Sequence, residues 1–331
     1  NNPYIHGYRG YYFYIGGFYN MSEKEFKTYD QQLDILESRG LIVENRAAAI
    51  EYLSEIGYYC LINEYKDPFI NNKLQIETYI EGANFFEIVA LYEFDCLFRE
   101  YLLIDLLRIE KRIRTAIVYS FSKTHGHRHQ EYLKTNNFRI DTYDNFLHTI
   151  EMLTDLDKKI KNDFMRFNII SHYATRHGYI PLWVLVQVLS FGDVNRLYQN
   201  MTLADKQEIS KTFNLSANDF GSVLAFMCGF RNKCAHGERI YTYRKDAAKP
   251  KSIPTFPLHK ALKIVDNAKG VTPGKEDVLA LLIAMKLFMK ENRYPLLIAN
   301  LDSSLKNLDT KLSSIKINAI TDHKLGTILS I

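Results

Sequence analysis

At 331 residues, with 47% hydrophobic and 24% charged residues, the chain carries enough apolar side chain for one large domain or two modest ones. A formal net charge of +4 permits nucleic-acid binding but falls short of the basicity of dedicated binders. The four cysteines (Cys60, Cys96, Cys228 and Cys234) form no CxxC pair and keep mostly apolar company. That usage suits a reducing cytoplasm and argues against structural zinc.

Residues 1–21 form an extension rich in Tyr, Phe and Gly, without the aliphatic core of a signal peptide. Residues 28–38 and 47–56 read as short helices and 58–69 as an extended segment, so residues 22–84 make an N-terminal helical appendage. From Phe85 to Thr124 there is no Gly or Pro, and Leu102, Leu106, Ile109, Ile113 and Ile117 draw a helical stripe. Further helices are expected over 143–166, 183–200 and 218–236, with another opening at Thr272 and Pro273 in its first position. The Lys- and Pro-rich stretch 245–257 reads as an exposed loop. The apolar runs near 181–191 and 278–284 are too short to cross a membrane. The apolar last residues, 325–331, read as a segment that continues in a longer protein. The expectation is an all-α protein with one helical domain over 85–331, the N-terminal appendage and additional C-terminal helices.

The chemistry concentrates in Arg231-Asn232-Lys233-Cys234-Ala235-His236, followed by Gly237-Glu238-Arg239. A guanidinium can grip a phosphate bidentately and bear transition-state charge. An imidazole moves protons near neutral pH. An amide completes the set, and together these groups can cleave RNA without a metal. The spacing alone is cheap, since an Arg four to six residues before a His arises by chance about once or twice in such a chain. Arg166 and His172 are a second instance, read as a decoy. Before the motif, Ser216 and Asp219 resemble a capping box, and Phe220, Val223, Leu224, Met227, Phe230 and Cys234 recur at helical spacing. On an ideal helix Arg231 lies roughly 140° from His236, so one helix does not aim both at one phosphate. Either the helix ends locally, or a second copy related by a two-fold axis completes the site. Capping of the helix C-terminus by these cations is the competing structural reading.

Several stretches in order carry a resemblance. They are residues 26–41, residues 49–59 continuing through 61–69, Asp105-Leu-Leu-Arg-Ile-Glu110-Lys-Arg-Ile-Arg114, Pro181-Leu-Trp183 with Leu189-Ser-Phe-Gly192, and Phe230 to Arg239 with its RN-x-x-x-H signature. From residue 22 to about 300 the chain resembles the AbiD/AbiF-like abortive-infection proteins of the HEPN superfamily. The pattern departs at Asn63-Glu64-Tyr65, where Gly is expected. The resemblance implies a HEPN-like helical bundle and a metal-independent RNase of anti-phage defence, with Arg231, Asn232 and His236 in its active site. It also implies a homodimer and, as in some relatives, a small structured non-coding RNA as partner.

Glu110 lies at the edge of the long helix's apolar stripe, where a carboxylate needs a partner. It either orients Arg231 or makes a surface pair with Arg114 four residues on. Arg108, Lys111 and Arg112 give that helix a basic face. Arg239, Tyr241, Tyr243, Arg244 and Lys245 follow the motif with the aromatic interleaving that single-stranded RNA binding uses. A solvated loop is the other reading of that segment. His125, His127 and His129 alternate at a spacing that could hold a transition metal, and an exposed loop at a helix end explains them as well. The expected protein is a cytoplasmic endoribonuclease without metal or cofactor, attacking through the RNA 2′-OH. The alternative is a non-catalytic module that holds a structured RNA.

Overall fold

A computed structural model describes residues 25–71, 76–166, 168–244, 253–264, 274–317 and 320. Helix α1 (Tyr29–Ser38) opens on a capping box between Thr28 and Gln31, and α2 (Arg46–Ile56) on Asn45, whose side chain accepts from the Ala48 amide. Asn84 and Glu87 form the capping box of α3 (Phe85–His125), whose 41 residues span about 60 Å. There follow α4 (His129–Tyr132), α5 (Tyr143–Phe164), α6 (Asn168–His177), α7 (Leu182–Val188), α8 (Phe191–Asn200) and α9 (Leu203–Lys211). The chain continues through α10 (Ala217–Ala235), α11 (Pro257–Ala261), α12 (Val278–Phe288) and α13 (Arg293–Lys311). The described residues contain three isolated β-bridges and no strand. The class is all-α, and the arrangement fits a HEPN-like bundle.

Helix α3 is the column on which the rest is assembled, with α7, α9, α10, α12 and α13 packed along it. Its Leu102, Leu106, Ile113, Ile117 and Phe121 are fully buried, as their spacing predicts. Helix α12 is apolar except for the exposed Lys286 and is buried along nearly its whole length. Glu87 fastens the ends of the bundle together, because its Oε1 accepts the amides of Ser313 (2.6 Å) and Ser314 (2.7 Å) just after α13. No helix among the described residues is long and apolar enough to cross a membrane.

Four sequence expectations change. The segment expected to be extended, 58–69, is a π-helical turn (Tyr59–Asn63) and a 3₁₀ turn (Asp67–Phe69). Leu61, Ile62, Tyr65 and Phe69 are all buried there, which a half-exposed strand with its period of two cannot provide. The helix expected over 183–200 is two helices. Ser190 and Asp193 form a capping box that starts α8, and Ser and Asp at those positions break a helix to satisfy its free amides. The C-terminal helix does not open at Thr272. Residues 272 and 273 lie outside the described ones, 274–277 are turn, and α12 is capped by Asp277, which accepts from the Ala280 amide at 2.9 Å. Of the expected loop 245–257, residues 245–252 lie outside the described ones, Ile253 and Phe256 are buried, and Pro257 opens α11. The extension 1–21 and the end 325–331 also lie outside them.

Candidate active site

The motif occupies the last turn of α10, and a hydrogen-bond pattern there explains the His-Gly pair. Gly237 adopts φ +71°, its amide bonds to the Cys234 carbonyl (3.3 Å), and the Glu238 amide bonds to the Lys233 carbonyl (3.1 Å). These are the two reverse bonds of a Schellman stop. The helix therefore ends one residue past Ala235, with His236 as its C-cap. Helical geometry persists through Ala235, so Arg231 and His236 keep their angular separation. On helical geometry they leave the backbone roughly 140° apart.

Arg231 is held from below. Its Nε donates to Glu110 Oε2 at 2.9 Å and its Nη1 to Asn232 Oδ1 at 3.4 Å. Nη2 has no hydrogen bond among the described residues. Glu110 is only 5% exposed, and its other oxygen accepts Nε (3.0 Å) and Nη2 of Arg114. Arg114 in turn donates to the carbonyls of Val186 and Leu189, the free carbonyls where α7 stops short of α8. Both readings of Glu110 thus coexist, and the pair with Arg114 is buried rather than superficial. A charge-assisted chain runs from the α7–α8 break through Arg114 and Glu110 to Arg231. Asn232 and His236 are exposed, and among the described residues the imidazole makes no hydrogen bond or ion pair.

The sequence profile of Abi-like proteins matches residues 51–242, more than half of the chain. The chain belongs to the Abi-like protein family. That membership points to abortive-infection defence. No curated protein and no solved structure matches the chain. The Abi-like match spans Glu110, Arg114, the α7–α8 break and the motif, which are the four parts of the chain of contacts just described.

The match ends beside a second buried carboxylate that sequence reasoning missed. Asp95, fully buried in α3, accepts from the Tyr65 hydroxyl (2.8 Å), from Arg99, and from the amides of Ile240 (3.2 Å) and Tyr241 (2.8 Å). Burial pushes its pKa up, against the pull of Arg99 and of these hydrogen bonds. The only sequence signal was an acid and a base four apart, Asp95 and Arg99, inside an otherwise apolar stretch. Cys234, inside the motif, is buried and its thiol is pushed up to about 12 by that burial, so it is an inert packing residue.

The residues after the motif are anchored. Arg239 donates to the Glu64 carbonyl and lies 3.3 Å from Asp67. Glu64, where the family pattern led us to expect Gly, sits at φ −85°, so the turn needs no left-handed residue. Tyr241 stacks on Tyr65 with ring centroids 6.1 Å apart, and Arg239 lies over the same ring. Tyr243 meets Phe230 edge-on and carries Lys233 5.1 Å above it. Arg244 lines a small cavity with Phe94 and Phe98. Lys245 lies outside the described residues. Arg108, Lys111 and Arg112 are exposed but turned from Glu110, Arg108 and Arg112 by roughly 200° and Lys111 by roughly 100°.

The three alternating histidines are spent separately. His125 Nε2 lies 3.0 Å from Asp205, His127 stacks near Trp183, and His129 Nδ1 accepts the Ile180 amide at 3.0 Å. Among the described residues no group of three His, Cys, Asp or Glu could hold a metal ion. Arg166 and His172 belong to the exit of α5 and to α6, where His172 packs beside Tyr173 and His177.

Proposed function

We propose that this Abi-like protein is a HEPN-type endoribonuclease of anti-phage defence, acting as a homodimer without a metal. The observation that carries the reading is the wiring of Arg231. A buried carboxylate spends its second oxygen on fixing a guanidinium at the surface, beside an exposed Asn and one turn from an exposed His. Such preorganisation is what charge stabilisation at a phosphate requires. The angular separation of Arg231 and His236 supports a site built from two copies across a two-fold axis.

In that site one His236 removes the 2′-OH proton, and the oxygen attacks the adjacent phosphorus. Its mate protonates the departing 5′-oxygen. The paired Arg231 side chains bear the extra charge of the pentacoordinate state, and Asn232 binds a phosphate oxygen. The products are a 2′,3′-cyclic phosphate and a 5′-hydroxyl, and DNA is not cut because it lacks the nucleophile. The test is cleavage of end-labelled single-stranded RNA in EDTA by wild type, Arg231→Ala and His236→Ala. Cleavage by wild type alone, leaving cyclic phosphate ends, supports the reading. Activity lost in EDTA and restored by added metal overturns it.

One observation favours a different reading. Among the described residues nothing orients the His236 ring, as a non-catalytic RNA-holding module would tolerate. In that case the folded wild type binds RNA without cutting it, and Arg231→Ala weakens binding where His236→Ala does not.

A further inference from the structure

On the face of α3 turned away from Glu110, two clefts follow one another. The first, about 540 Å³, has Arg108, Lys111 and Arg112 on one wall and Lys290 and Arg293 on the other. The second, about 510 Å³, runs on past Tyr119 to Lys123. Both are lined by Arg112 and Thr115, so they adjoin in a groove bridged by the Arg112 side chain. Positions 108, 111, 112, 115, 119 and 123 fall within about 120° of one another on an ideal helix, and all six are exposed.

The charges in this groove are arranged for an anionic strand. The only acids lining it are Asp105 and Glu208. Asp105 is buried and already pairs with Arg108 (2.9 Å) and Arg293 (2.8 Å). Lys111 and Lys123 have no ion-pair partner among the described residues. Arg112 is fixed by the Phe288 carbonyl at 2.7 Å and by the Phe213 ring, so it presents a preset cation. Tyr119 is 72% exposed and stands between Arg112 and Lys123. An aromatic ring that stays in water among cations is the platform on which a splayed base stacks. From Arg108 to Lys123 the stripe runs about 22 Å, the scale of a site for roughly four nucleotides.

We infer that this groove is an RNA-holding site separate from the Arg231 and His236 cluster. It takes single-stranded RNA, with phosphates on Arg108, Lys111, Arg112 and Lys123 and a base on Tyr119. The inference rests on RNA being this protein's ligand, but its readout is binding and stands apart from cleavage.

The experiment measures fluorescence anisotropy of a labelled single-stranded RNA 20-mer against full-length His236→Ala protein, so that cutting does not intrude. Lys111→Glu with Lys123→Glu weakens binding about tenfold or more, and its salt slope becomes shallower by about 1.4. Tyr119→Ala weakens binding about fivefold or more without changing that slope. Lys158→Glu with Lys161→Glu, exposed on α5, alters net charge equally and leaves affinity within about twofold. The inference is overturned if the Lys111 and Lys123 pair binds like wild type, or if the α5 pair weakens binding as much. Displacement of the RNA by poly-glutamate or by duplex RNA as readily as by unlabelled strand also overturns it. If wild type binds the 20-mer in this groove yet never cuts, the nuclease reading falls and the groove stands.

Discussion

Two carboxylates on α3, fifteen residues apart, are both buried and both hold an arginine, yet they do different work. Asp95 is closed in on every side, with Arg99, the Tyr65 hydroxyl and two main-chain amides around it. All of its partners stay inside. Glu110 divides its two oxygens between Arg114, which is sequestered on carbonyls, and Arg231, which reaches the surface. Burial of a carboxylate beside an arginine therefore does not mark a site. What sets the Glu110 pair apart is that one of its arginines, Arg231, keeps an amino group with no hydrogen bond among the described residues.

The comparison breaks first at Asp95. Asp95→Ala strands the Arg99 charge and two amides in the core and costs about 3–5 kcal/mol, to be read from urea unfolding. A loss below about 1 kcal/mol means that the network is not structural. Arg231→Ala comes next, with RNA cleavage falling about 100-fold or more and about 1–3 kcal/mol of stability lost as the buried Glu110 carboxylate gives up one partner. Glu110→Gln sharpens the contrast. It keeps the shape and removes the charge that orients Arg231, so cleavage drops about tenfold, with an accompanying loss of about 1–3 kcal/mol in stability. Were activity unchanged at full folding, Glu110 would be a second Asp95.

A last prediction concerns a buried cation, Lys206, whose nearby charges are Arg139 and Asp141. Lys206 donates to the Gln199 carbonyl at 2.6 Å, and burial pulls its pKa down to about 8 from 10.5. Below about pH 8 the lysine is charged in both states, and the penalty of burying that charge is present in full. Between about 8 and 10.5 the unfolded chain keeps the proton and the folded one releases it, so stability rises with pH. Lys206→Met abolishes this rise in pH-dependent thermal unfolding. An identical slope in the variant assigns the effect to another group.

Much of this was legible in the sequence, for identifiable reasons. The helical class and the length of α3 followed from periodicity and the absence of Gly and Pro over forty residues. The Abi-like match bears out the family resemblance, which rested on several motifs in order. The pairing of Glu110 with Arg231 was an open alternative, because a carboxylate on an apolar edge calls for a partner without naming it. The Asp95 network was visible only in its pairing with Arg99, since its partners Tyr65, Ile240 and Tyr241 lie 30 to 146 positions away and two of them use only main-chain atoms. The same distance hid the anchoring of Tyr241 and Arg239, whose segment read either as an RNA-binding stretch or as a solvated loop. Their sequence pattern is that of an aromatic and basic loop, and only the fold shows their faces covered by Tyr65 and Glu64.

The contacts that close the far end of the motif span long stretches of chain. Arg231 reaches back 121 residues to Glu110, the Ile240 amide 145 to Asp95, and Arg239 175 to Glu64. Closures of this length come at the end of assembly, because the chain entropy lost is recovered only once both ends are present. During synthesis the N-terminal turns and α3 emerge well before the residues that complete them. A polypeptide still on the ribosome therefore lacks the Glu110–Arg231 and Asp95–Tyr241 contacts until residue 241 has cleared the exit. On the nuclease reading proposed above, the order of manufacture itself delays the hazard to the host.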